Sequence, residues 1–174
     1  MTARITCSAL CMALLAGCAP FAQDLNKYNA ARYADAGLAA LNRGDWDAAR
    51  RAYARAAVNA DLGRAPTRTR SVMYYEYGRA SGVTCFYEHA EEYLSKALTL
   101  DEESSGPTHY PLIELARLNL DRGKYAEAVP YFERVLPIVE KLNSEALDPI
   151  GFADLLDEYA VHLLSRGAPM TPAL

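Results

Sequence analysis

The chain has 174 residues, 51% of them hydrophobic, and a formal charge of −4. That is one domain's length with ample apolar content for a core. The slight acidic excess supplies no general basic face of the kind that nucleic-acid binding needs.

Taken in order, residues 1–17 read as a targeting segment. Arg4 precedes an apolar run from Ile5 to Ala16, too short for a bilayer span of about 20 residues and ending in small residues as a cleaved leader does. Losing it removes Arg4 and no acid, which takes the charge from −4 to −5. An ordinary secretory peptide and an uncleaved apolar N-terminus fit these residues too. Leu15-Ala16-Gly17-Cys18 resembles the lipobox of bacterial lipoproteins. The resemblance implies cleavage before Cys18 and lipid on its thiol and amine; several acyl chains make a stable anchor where one does not. Ala19 follows rather than aspartate, which by the same resemblance implies the periplasmic face of the outer membrane. Residues 18–25 are expected to be a lipidated tether, reaching at most about 25 Å if extended.

The next 140 or so residues, about 26–166, carry a repeated spacing. Steps of 7, 2, 3, 4 and 3 from Gly37 reach Gly44, Trp46, Ala49, Tyr53 and Ala56. The same steps from Gly78 reach Cys85, Tyr87, Ala90, Leu94 and Ala97, and from Ala116 they reach Gly123, Tyr125, Ala128, Phe132 and Val135. Small residues let helix backbones approach, and bulky ones fill the space beside them. The pattern resembles the tetratricopeptide repeat. It implies an all-α fold: a right-handed superhelical solenoid of three helical hairpins, at about 30–63, 71–104 and 109–142, plus a C-terminal capping helix at 149–166.

Two connections separate the hairpins, 62–70 with Gly63 and Pro66, and 101–111 with Gly106, Pro107 and Pro111. Both contain helix breakers. The second, with Pro130 just inside the following helix, resembles the repeat variant of kinesin light chains. In the cap, Ile150, Leu155, Leu156, Tyr159, Leu163 and Leu164 recur at helical spacing with Asp154, Asp157 and Glu158 between. The expected product is a helix with a polar outer face, as a solenoid's end requires. Residues 167–174 are expected to be a flexible tail.

Cys85 is left alone once Cys7 and Cys11 go with the leader and Cys18 carries lipid. It fills the slot held by Gly44 and Gly123, which favours a packing role over pairing between chains. Arg50, Arg51, Arg55, Arg64, Arg68 and Arg70 form a local basic cluster, read as solvated charges, with an acidic partner or lipid headgroups as the alternative. No phosphate loop, nucleophile elbow or Cys-x-x-Cys occurs. His89, His109 and His162 fall in different elements. The reading is therefore no enzyme, no cofactor and no metal.

The tetratricopeptide resemblance also nominates a concave groove. Tyr75 and Arg79 lie on its side of one helix, Ile113, Arg117 and Asp121 on that of the next repeat, and Asp157 and Val161 on the last helix. Aromatic and arginine anchors carry much of the energy of protein interfaces. The asparagine-and-lysine clamp of chaperone adaptors is absent from these places. The expected function is a membrane-anchored scaffold or adaptor for other envelope proteins, of assembly-factor or pilotin type. The alternatives are an adaptor that brings a peptidoglycan-processing enzyme to its site, and an enzyme or ligand-binding protein with an unfamiliar site.

Overall fold

The computed structural model describes residues 3–142 and 149–165 of the chain. Among these are seven helices and no strand: α1 (Ala3–Leu41), α2 (Trp46–Leu62), α3 (Thr67–Val83), α4 (Tyr87–Ser104), α5 (His109–Asp121), α6 (Tyr125–Lys141) and α7 (Pro149–Ser165). They pair as three hairpins, α1/α2, α3/α4 and α5/α6, stacked in chain order, with α7 against α5 and α6. The architecture is the all-α repeat solenoid that the spacing implies. The expected tail, 167–174, lies outside the described residues.

Each hairpin closes in one way. Gly44, Cys85 and Gly123 all sit in the left-handed region, at φ of 73°, 63° and 67°. In each turn the next residue's N–H reaches five residues back: Asp45 to Ala40, Phe86 to Ser81 and Lys124 to Asn119, at 3.0, 2.8 and 2.8 Å. This 6→1 bond, with the left-handed residue just past the helix end, is the Schellman closure, which satisfies carbonyls the helix leaves open. The residue seven after each small residue is thus a helix stop. Cys85 holds that place but is exposed, so its expected packing role gives way to a conformational one. A β-carbon at Gly44 or Gly123 would meet nothing within 4 Å, because the turn projects from the hairpin's end.

The later slots make the core, while the aromatic slot two residues past the turn does not: Trp46 and Tyr87 are half-buried and Tyr125 is exposed. Ala49, Ala56, Ala90, Ala97, Ala116, Ala128, Phe132 and Val135 are all fully buried. A β-carbon on Gly37 would fall 2.6 Å from the Tyr53 ring, and one on Gly78 would fall 2.9 Å from the Leu94 backbone nitrogen. These positions stay small because the partner helix is already there. One core cluster joins α1, α2 and α3, and a second joins α4, α5 and α6. Tyr93 of α4 packs against the first of these, edge-on to Tyr74 at 5.5 Å and to Tyr77 at 4.6 Å between centroids.

Three extents differ from the sequence reading. The connections are short, 63–66 and 105–108, because α3 starts at Thr67 and α4 runs to Ser104; the polar end turns carry no apolar period but keep their helical hydrogen bonds. Residues 18–25, expected as a tether, are helix within α1. The residue after α2 lies close against α1 at Gln23 and Lys27: a β-carbon on Gly63 would lie 2.8 Å from the Lys27 nitrogen and 3.0 Å from the Gln23 oxygen. The outer face of α7, expected to be polar, exposes Leu156, Val161 and Leu164. Tyr159 points inward, its ring 5.3 Å from that of Phe132.

Candidate functional site

Equivalent positions of α3 and α5 are 38 residues apart, so Tyr75 matches Ile113 and Arg79 matches Arg117. The two helices flank a groove containing two clefts. One, about 330 Å³, is lined by Arg68, Ser71, Val72, Tyr75, Glu76, Arg79, Asp101, Pro107 and Tyr110. The other, about 340 Å³, is lined by Gly78, Arg79, Gly82, Val83, Leu94, Glu114, Arg117, Leu118 and Asp121. Arg79 belongs to both and joins them. Among the sequence-predicted residues, Tyr75, Arg79, Arg117 and Asp121 therefore line clefts. Ile113 is half-buried and packs on the core cluster of α4, α5 and α6. Asp157 and Val161 are exposed on α7 and line neither cleft.

The arginines are held by specific neighbours. Arg79 Nη1 lies 3.6 Å from Glu76 Oε2, and its guanidinium sits 5.1 Å from the centroid of Trp46. Arg117 Nε donates to both carboxylate oxygens of Glu158, at 3.1 and 3.0 Å. Glu158 rather than Asp157 is thus the α7 residue that meets the groove, since one position along a helix turns the side chain by about 100°. At the other end Asp101, 3% exposed, accepts from Ser71 Oγ at 2.5 Å and Arg68 Nη1 at 3.3 Å. Ser71, Asp101 and Arg68 join the end of α4 to the start of α3.

Sequence reasoning missed Glu76 and Glu114. Their own offset of 38 residues, equal to the repeat step, is the signal that would have found them. Burial raises the pKa of both carboxyls, with Arg79 opposing at Glu76, and Arg117 and Arg79 opposing at Glu114. Glu76 Oε2 is buried and, among the described residues, accepts no hydrogen bond. Burial, then the nearby Glu114 charge, pushes the Tyr75 phenol well above its ordinary pKa. Tyr75 also packs against both neighbouring cores and tilts against Tyr110 at 5.8 Å. It is part wall and part support.

Most arginines of the expected basic cluster have partners of their own. Arg50 pairs with Asp47 at 3.2 Å and lies 3.8 Å from the Phe86 centroid, Arg68 meets Asp101, and Arg70 comes within 3.9 Å of Asp61. Burial lowers the pKa of His109 and favours its neutral form. Among the described residues no three His, Cys, Asp or Glu side chains come together as a metal site, and no helix is long and apolar enough to cross a membrane.

Comparison with known proteins bears on the part of the chain that builds the groove. Residues 69–141 match the tetratricopeptide repeat family. The match takes in nearly all of α3 and the whole of α4, α5 and α6, so both groove walls lie within the matched stretch. No curated protein matches the chain. Tetratricopeptide repeats are in general protein-interaction scaffolds and typically carry no catalysis. The groove is chemically suited to that role: it offers aromatic, guanidinium and carboxylate contacts along a seam between two rigid helices.

Proposed function

We propose that the chain is a lipid-anchored interaction scaffold of the bacterial cell envelope, tethered at Cys18 on the periplasmic face of the outer membrane. It holds an envelope protein along the α3/α5 groove, as an assembly factor or pilotin does. The observation that carries the interaction reading is the pair of clefts joined at Arg79. The anchor rests on the Leu15-Ala16-Gly17-Cys18 sequence. Pro20, inside α1, adds a physical argument. In an uncut helix its missing N–H leaves the carbonyl four residues earlier without a partner, at a cost of about 3 kcal/mol. In a chain that begins at Cys18 it falls in the first helical turn, where no N–H has an intrahelical partner.

The test has two arms. Cys18→Ala should move the protein from the membrane fraction to the soluble fraction; a variant that stays membrane-bound with Met1 intact would refute the anchor. Cross-linked partners identified with the wild type should be lost with Arg79→Ala and Arg117→Ala while the helical spectrum persists. Partners retained by both variants would remove the groove from the function.

A further inference from the structure

The charges along the groove do not balance, and the imbalance specifies the occupant. Two of the three arginines are engaged: Arg68 donates to the buried Asp101 at 3.3 Å, and Arg117 makes two bonds to Glu158. Arg79 alone then faces Glu76, Glu114 and Asp121, which line the same two clefts. Its guanidinium lies 3.6 Å from Glu76, a separation too long for a hydrogen bond, and its hydrogen bonding goes to the Tyr75 phenol instead. Glu114 forms no ion pair among the described residues, and Arg79 and Arg117 act on it only at longer range. The buried Oε2 of Glu76 lacks a hydrogen-bond donor.

Resting on the groove reading above, we infer that this groove binds an extended peptide segment bearing an arginine, whose guanidinium bridges Glu76 and Glu114 beside Tyr75. The planar five-donor fork of arginine can serve two carboxylates at once, whereas lysine presents a compact point charge. Its aliphatic stem suits the Tyr75 and Tyr110 rings that begin the groove. Helix α3 from Arg68 to Gly82 extends about 21 Å at 1.5 Å per residue. That length holds about six residues of extended peptide. An acidic peptide would add charge to a wall where Glu76, Glu114 and Asp121 already share the single guanidinium of Arg79.

Randomised octapeptides displayed on phage and selected on the full chain provide the probe. The selected sequences should share one basic position. A representative peptide, synthesised with arginine or with uncharged citrulline there, should bind at least about tenfold more tightly as arginine. Glu76→Gln with Glu114→Gln keeps the side-chain shapes and removes both charges, and should shrink that ratio to about threefold or less. Acidic or unbiased selected sequences would overturn the inference, as would an arginine preference that survives in the double variant. Peptides that bind without basic preference but are lost with Tyr75→Ser leave the groove standing and remove only the arginine. If no selected peptide is sensitive to Tyr75, Glu76 or Glu114, the groove reading falls as well.

Discussion

Cys85 carries a β-carbon in a left-handed turn where its two counterparts are glycines. That conformation strains a non-glycine residue by about 1–2 kcal/mol, partly offset by the extra freedom glycine has in the unfolded chain. Cys85→Gly should therefore gain about 0.5–1 kcal/mol and raise the melting temperature by about 1–4 °C. A lower melting temperature would mean that the thiol holds the turn. Core residues follow the opposite logic. Phe132→Ala should cost about 3–5 kcal/mol because the ring is fully buried. Trp46→Ala should cost less, since the ring is only half-buried, and urea titration of both variants orders them. The buried glutamates predict a pH effect. Their folded-state pKa is raised, so the neutral form suits the fold. The associated stability is fully present below the unfolded carboxyl pKa of about 4.3 and is lost as pH rises through the raised value. The double glutamine variant should thus gain melting temperature over wild type on going from about pH 5 to pH 7.5. A constant difference would show that the two carboxyls are not strained.

At the scale of elements, the repeat spacing made the hairpins legible because it records which side chains meet between paired helices. Helix ends were less legible. Thr67–Arg70 and Asp101–Ser104 are polar end turns, and their position follows from Ser71 and Arg68 reaching Asp101, a contact 30 residues apart that no local pattern encodes. The groove was half legible: the step of 38 carries Arg79 onto Arg117, but burial of Glu76 and Glu114 depends on neighbouring helices. Glu158 was hidden for a similar reason, since the register of α7 depends on its docking. That docking rests on the Arg117–Glu158 pair, with both side chains about one-third exposed, and on Tyr159 against Phe132. Glu158→Ala should cost only about 1 kcal/mol or less but speed amide exchange across α7 while α3 to α6 stay protected. Exchange that rises equally in all helices would show that α7 is an integral part of the stack.

Across the whole molecule, stacked hairpins make a one-dimensional structure whose ends matter most. The family match stops short of the first hairpin, whose core is built largely from alanine, including Ala40, Ala49 and Ala56. Deleting 149–174 should uncover Phe132 and leave Arg117 unpaired. The shortened protein should melt earlier and associate with rising concentration, which light scattering would detect; an unchanged monomer would mean that α6 already closes the stack. The other end differs because α1 has no break between Cys18 and Leu41. At 1.5 Å per residue that stretch is about 35 Å of continuous rod. A flexible leash would let its cargo sample every orientation. With the anchor proposed at Cys18, a helix held at one end and packed into the repeats at the other behaves as a lever: a pull on the groove becomes torque at the root.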